Sequence, residues 1–181
     1  MLPTLAKWTI EEYHQMIEAG ILQNRRVELL AGEIIEMPPE GPLHTFYGEE
    51  LADYLRYRLA GKALIREAHP ITLTNSEPEP DIAVVRPPRD NYRNRHPYPE
   101  DIFLVIEVSH STLAKDLEIK RKAYAQAGIL EYWIIDVKNR QLIVFRSPNK
   151  DDYSSKQEIK QGNIAMLAFP EVEVTVDRLL T

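Results

Sequence analysis

Two nearly continuous apolar runs in the middle of the chain constrain its fold more than any other feature. They are DIAVV, residues 81–85, and IFLVIEV, residues 102–108. Apolar, β-branched runs without alternation are typical of strands that are covered on both faces. The sequence therefore predicts a sheet in which these two strands lie deep, with helices packed against it.

Other segments supply the helices and hairpins around these strands. Thr9 and Glu12 form a capping-box pattern for a first helix. Changes of apolar period then predict a hairpin, a long amphipathic helix, a third helix after the second apolar run, and a second hairpin. These elements are expected at residues 9–19, 26–37, 43–59, 113–127, and 131–136 with 141–146.

Weaker patterns complete the predicted sheet. Short strands are expected at 63–67, 71–74, 158–168 and 172–176. Residues 86–101 are polar and rich in proline, which predicts a long exposed loop. The fold class is therefore α/β or α+β, with a mixed central sheet flanked by helices.

Composition narrows the class of protein. The chain has 181 residues, which suits a single domain over 1–181. It has no cysteine, which excludes disulfides, thiolate zinc sites and a cysteine nucleophile. No apolar stretch is long enough to span a membrane, and the first residues lack a signal-peptide pattern. We expect a cytoplasmic protein with no membrane contact.

Asp81 and Glu107 are the anomalies in the two apolar runs. An isolated ionised carboxylate in such a strand is too costly to leave without a partner. If the two strands are antiparallel neighbours, both carboxylates reach the same edge of the sheet and repel each other. A divalent metal ion between them would offset that repulsion. The alternative is a buried ion pair between either acid and a lysine of the following helix.

Lys120 lies on that helix, and the spacing alone leaves two possibilities for it. It follows Asp116 by four residues, so the two side chains can form a salt bridge on the helix surface. Its position beside the apolar seam equally allows it to point along the sheet edge toward Glu107.

The combination of these residues resembles a known family. The similarity is to the Uma-two type of restriction endonuclease, and it rests on Pro80-Asp81, on Glu107-Val108-Ser109, on Asp116 with Lys120, Tyr124 and Gly128, and on the string GILEYWIID. That family is a branch of the PD-(D/E)XK nuclease superfamily. VELLAGEIIEM, which contains Glu28, and the following His44 resemble its N-terminal signature. The similarity covers residues 9 to 146.

The resemblance implies a restriction-endonuclease-like core and assigns roles to individual residues. Asp81 and Glu107 would hold Mg²⁺ or Mn²⁺, with the carbonyl of Val108 as a further ligand. The superfamily pattern has a lysine where this chain has Ser109, so Lys120 would replace it. Glu28 would be a further catalytic residue, either as an outer metal ligand or as an anchor for the residues that hold the metal, and the alternative is an exposed residue on one face of the hairpin. Weaker site candidates are His44, Asp116 and Ser109.

Three functions follow as hypotheses. The first is a metal-dependent DNA endonuclease, a hydrolase that uses a metal-activated water. The second is an inactive nuclease fold that binds nucleic acid or protein, which Ser109 and the net charge of −6 favour. The third, a paired-carboxylate glycosidase, is weakest, because the sequence shows no aromatic subsite.

DNA is the expected partner, although the net negative charge argues against general binding of polyanions. Two basic clusters are candidates for phosphate contact. They are Arg86, Arg89, Arg93 and Arg95 in the predicted loop, and the positions near Lys115 and Arg121. For either cluster taken alone, solvated surface is the preferred interpretation. A homodimer is possible in principle, and the sequence does not choose it over a monomer.

Overall fold

A central sheet of six strands organises the molecule, for which a computed structural model describes residues 4–180. The strand order is β3-β4-β5-β6-β7-β8, with β5 and β6 parallel and every other neighbouring pair antiparallel. Its strands are β3 (Leu64–Glu67), β4 (Ile82–Val85), β5 (Ile102–Ser109), β6 (Glu131–Asp136), β7 (Gln141–Pro148) and β8 (Tyr153–Ile159).

Two separate hairpins accompany this sheet. The first joins β1 (Val27–Leu30) to β2 (Glu33–Glu36), and the second joins β9 (Asn163–Met166) to β10 (Phe169–Thr175). Between β1 and β2, Ala31 and Gly32 both have positive φ values, of 50° and 76°. Two residues with positive φ form the tight turn that matches the twist of a hairpin, as the sequence predicts.

The helices begin and end where the sequence signals indicate. Helix α1 (Ile10–Glu18) has the predicted capping box at Thr9, and α2 (Pro42–Arg58) carries a proline at its start. Helix α3 has three consecutive parts, which are Leu113–Lys115, a π-helical turn at Asp116–Lys120, and Arg121–Gln126. A short helix α4 (Val176–Leu179) follows β10.

Both faces of the central sheet are covered, which explains the unbroken apolar runs. On one face Leu51 and Leu55 of α2 join Val84 and Ile106, together with apolar residues of β9, β10 and α4. On the other face α3 and residues 71–73 cover Ala83, Val105 and their neighbours. All four residues of β4 are buried. The predicted fold class, a mixed sheet flanked by helices, is confirmed.

The pairing of β4 with β5 positions the two anomalous acids. The strands are antiparallel, with Ile82 opposite Ile106. Asp81 immediately precedes β4, and Glu107 is near the end of β5. The two acids therefore meet at the same edge of the sheet.

Two details of the predicted elements are wrong. Residues 71–74 form no strand, because Ile71 and Leu73 bond to the carbonyls of Pro78 and Ser76 within a compact loop. The predicted strand 158–168 is divided between the end of β8, a turn, and β9. Of the helices between residues 4 and 180, none is both long and apolar enough to cross a membrane.

Candidate functional site

A cavity of about 300 Å³ opens at the sheet edge where β4 begins and β5 ends. Its floor carries Asp81, Glu107 and Lys120. One wall is the proline-rich segment at 37–42 with His44 at the start of α2, and the other comprises residues 110–112 with the first turns of α3. Residues that are far apart in the chain thus share one concave site.

Asp81 is held by one of its two carboxylate oxygens. Its Oδ2 accepts a hydrogen bond from the backbone N–H of Val108 at 2.6 Å, and His44 Nε2 lies 3.2 Å from the same oxygen. Its Oδ1 accepts no hydrogen bond from any residue between 4 and 180. The side chain is 19% exposed, so this second oxygen is available to a ligand in the cavity.

Glu107 is held in the same way, although it is far more buried. Its Oε1 accepts hydrogen bonds from Lys120 Nζ at 2.9 Å and from the Tyr124 hydroxyl at 2.7 Å. Among the described residues no donor reaches Oε2. Burial raises the pKa of Glu107, as does the negative charge of Asp81, while Lys120 opposes both effects. A cation in the cavity would favour the ionised form.

Lys120 is a buried cation between two carboxylates. Besides Glu107, its Nζ lies 3.5 Å from Glu28 Oε2, and its side chain is 3% exposed. Burial disfavours the charged ammonium, but the two carboxylates outweigh that effect and raise the pKa of Lys120. The side chain therefore stays protonated. Of the two possibilities that its spacing left open, the structure shows the contact with Glu107.

Glu28 connects two lysines behind the cavity. It is fully buried on β1, and its Oε1 accepts a hydrogen bond from Lys115 Nζ at 2.9 Å. Its Oε2 also accepts a hydrogen bond from the backbone N–H of Glu79 at 3.3 Å. Glu28 does not line the cavity itself, so it orients the two lysines from behind.

Asp116 and Ser109 form a buried pair beside the two acids. The Ser109 hydroxyl donates to Asp116 Oδ2 at 2.6 Å, and both side chains are about 1% exposed. The π-helical turn begins at Asp116, whose carbonyl accepts from the N–H of Arg121 and from the Tyr132 hydroxyl. Turns of this type occur frequently at functional sites.

His44 lines the cavity next to Asp81. The hydrogen bond with Asp81 raises the pKa of His44, against the effect of burial. Its Nδ1 lies 3.8 Å from Glu40 Oε2 and has no hydrogen-bond partner in the described chain. The ring therefore contacts Asp81 through Nε2, while Nδ1 makes no hydrogen bond with the described residues.

The arginines of the predicted DNA-contacting loop lie elsewhere. Arg86 directly follows β4, whereas Asp81 directly precedes it, so the loop starts at the opposite end of that strand. Three of its four arginines have partners within the loop: Arg95 pairs with Asp101, Arg93 with Asp90, and Arg86 Nε donates to the carbonyl of Glu100.

Neither Arg86 nor its neighbours Arg89, Arg93 and Arg95 line the cavity. The second basic cluster divides, because Lys115 lines the cavity while Arg121 pairs with Asp152 at 3.1 Å. Contact between either cluster and DNA stays a prediction.

The donor set at the sheet edge fits a hard divalent cation. No group of three or more His, Asp or Glu side chains in residues 4–180 is arranged as metal ligands. Two carboxylates supplemented by a backbone carbonyl, water and substrate oxygens are nevertheless a common environment for Mg²⁺.

The sequence reasoning assigned no site role to Tyr124 or Glu79 and did not predict the proline-rich wall of the cavity. Tyr124 could have been found, since it follows Lys120 by four residues and so shares its helix face. Glu79 offered no signal, because its backbone makes the contacts: its carbonyl lies 3.4 Å from Lys120 Nζ.

Comparison with known proteins supplies the family. The model of the Uma2 family, described as "Putative restriction endonuclease", matches residues 10–177. The chain belongs to the Uma2 family. This membership supports a nuclease, a hydrolase acting on DNA, and restriction-endonuclease-like enzymes generally use divalent metals. No curated protein matches the Uma2 chain.

One solved structure supports the fold. It is the crystal structure of a "putative nuclease belonging to DUF820" from Anabaena variabilis ATCC 29413. The two chains are 17% identical and superpose with a TM-score of 0.69. The match covers 85% of the present chain and 89% of the Anabaena variabilis chain. At this identity the similarity concerns the fold alone.

Proposed function

We propose that this protein is a metal-dependent endonuclease that hydrolyses DNA phosphodiester bonds at the cavity. The observation that carries the proposal is the geometry of the two acids. Asp81 and Glu107 each use one oxygen for internal hydrogen bonds and leave the other free at the same sheet edge. Other parts of the proposal are a single nuclease domain over 1–181 and a PD-(D/E)XK-like arrangement of the site.

In this proposal Asp81, Glu107 and the carbonyl of Val108 hold Mg²⁺ or Mn²⁺. The bound ion would supply a water of lowered pKa and neutralise negative charge on the scissile phosphate. The hydrogen bond from Val108 N–H to Asp81 fixes the first acid relative to the strand that carries the second. The two ligands are therefore positioned before any ion arrives.

Lys120 takes the role of the lysine that the superfamily pattern places at Ser109. It stays protonated beside Glu107, where a fixed positive charge stabilises the charge that develops on the phosphate. Ser109 cannot do this, because its hydroxyl is neutral and already donates to Asp116. Glu28 positions Lys120 and Lys115, and His44 positions Asp81.

Cleavage of plasmid DNA tests the proposal. The wild-type protein should cut with Mg²⁺ or Mn²⁺ and not after chelation, and Asp81→Asn and Glu107→Gln should abolish cutting. Glu118→Gln is the matched control, because Glu118 is an exposed acid on the same helix as Lys120. Equal activity of wild type and both site variants would show that cleavage occurs elsewhere.

The inactive module is the competing function. Ser109 at the lysine position was its main support, and Lys120 beside Glu107 removes much of that support. DNA binding without cleavage under any divalent metal would favour the module over the enzyme.

The dependence of DNA affinity on salt distinguishes the two basic clusters. Each phosphate contact contributes a slope of roughly −0.9 in log affinity against log salt. We expect Lys115→Met to reduce the slope by about one contact if Lys115 meets a phosphate at the cavity. A reduced slope in the Arg93→Ala/Arg95→Ala double variant would instead support phosphate contact by the loop.

A homodimer also stays a prediction.

A further inference from the structure

We propose that Tyr124 is a positioning residue for metal binding, which holds Glu107 so that its Oε2 faces the cavity. The inference rests on the proposed function, because it concerns how the chain prepares Glu107 for a divalent cation. It adds a residue from the buried core to the machinery of the site.

The geometry of the Glu107 carboxylate carries the proposal. The Tyr124 hydroxyl lies 2.7 Å from Oε1, and Lys120 Nζ lies 2.9 Å from that same oxygen. A terminal carboxylate rotates easily about its last bond. Two donors at one oxygen restrain that rotation, so the oxygen without a donor, Oε2, keeps one position and can bind a cation.

Tyr124 is the more rigid of the two donors. Its ring is fully buried and packs edge-to-face on Tyr132, with ring centroids 4.9 Å apart. Lys120, in contrast, has a flexible four-carbon stem and also contacts Glu28.

A Mn²⁺ titration by calorimetry on Tyr124→Phe tests the role, since this change removes one hydroxyl and keeps the ring. Loss of a hydrogen bond that orients a metal ligand typically weakens metal affinity by about 10–100-fold. We expect a loss in that range. Tyr153→Phe is the matched control, because the buried Tyr153 hydroxyl donates to the carbonyl of Ile129 at 2.8 Å in the same core. Its Mn²⁺ affinity should equal that of the wild type.

A second measurement separates positioning from general loosening of the core. In a Glu107→Gln background, Tyr124→Phe should cause no further loss of Mn²⁺ affinity, because the hydroxyl acts only through that carboxylate. In cleavage assays we expect Tyr124→Phe to lower kcat and leave the KM for DNA unchanged.

The outcomes are distinguishable. Wild-type affinity for Mn²⁺ in Tyr124→Phe overturns the inference and leaves the endonuclease intact. An equal loss in both backgrounds also overturns it, since a structural defect acts without Glu107. Wild-type protein that binds no Mn²⁺ overturns the cation site, and the inference with it.

Discussion

Replacement of Lys120 by methionine tests whether the buried charges of the site are mutually dependent. Methionine keeps a similar volume and length but removes the ammonium group. That group lies 2.9 Å from Glu107 Oε1 and 3.5 Å from Glu28 Oε2. At an effective dielectric constant of about 20, these distances correspond to attractions of about 6 and about 5 kcal/mol.

Most of this attraction is offset when the variant relaxes. Removal of the ammonium recovers its own desolvation cost, which is several kcal/mol, and Glu107 can take up a proton. Loss of one partner from a buried charge network typically costs about 3–5 kcal/mol of unfolding free energy. For a chain of this length we expect Lys120→Met to lower Tm by roughly 6–20 °C.

The loss should depend on pH in a defined direction. Without Lys120, burial raises the pKa of Glu107 in the folded state above its value in the unfolded chain. A carboxyl with a raised folded pKa contributes stability below its unfolded pKa and loses it as the pH rises. The deficit of Lys120→Met relative to wild type should therefore be largest near pH 8 and shrink toward pH 5.

Urea unfolding followed by tryptophan fluorescence measures this, because Trp133 is fully buried. Lys62→Met is the control, since Lys62 and Glu171 form a surface pair with side chains 41% and 58% exposed. We expect the control to change the unfolding free energy by less than about 1 kcal/mol. A Lys120→Met variant that stays within about 1 kcal/mol of wild type from pH 5 to 8 would refute the reasoning.

Three further predictions concern stability. Gly32→Ala should lower the free energy of unfolding in urea by about 1–3 kcal/mol more than Gly61→Ala, because the two positions share the backbone strain of a φ near 75° but a Cβ at Gly32 would lie 2.9 Å from Cβ of Lys7. Equal costs would contradict this. Burial raises the pKa of Tyr13 to about 12. The free energy of unfolding should therefore fall by about 2–3 kcal/mol from this residue as the pH rises from about 10 to 12. The free energy of unfolding of Tyr13→Phe should fall less steeply, and parallel pH profiles of the two proteins would exclude the effect. Glu131→Ala should lower the free energy of unfolding by about 3–5 kcal/mol, because it removes the fully buried acceptor for Arg146. A decrease below about 1 kcal/mol in denaturant titration would be inconsistent with that pair.

The core strands could be predicted because their local pattern and their final environment agree. DIAVV and IFLVIEV avoid water on both faces, and the structure covers both faces. Their antiparallel pairing then brings Asp81 and Glu107 to one edge. The sequence predicts this meeting only on the condition that the two strands are antiparallel neighbours, which the structure shows.

Other features depend on tertiary structure that no local pattern contains. β8 is mostly exposed and polar, and it is a strand because it pairs with β7. The π-helical turn at Asp116–Lys120 interrupts a sequence that reads as an ordinary helix. Spacing could not decide between Asp116 and Glu107 as the partner of Lys120, because that choice depends on where the helix lies on the sheet.

The pairing of β4 with β5 couples folding to chemistry in this protein. A shift of one residue between these strands would turn Asp81 away from Val108 and would also send Ile82 and Val84 to the wrong layer. On the proposed function, a copy trapped in the shifted alignment would have neither a proper interior nor the ability to cut nucleic acid. Damage to a genome would then require a molecule that had already folded correctly.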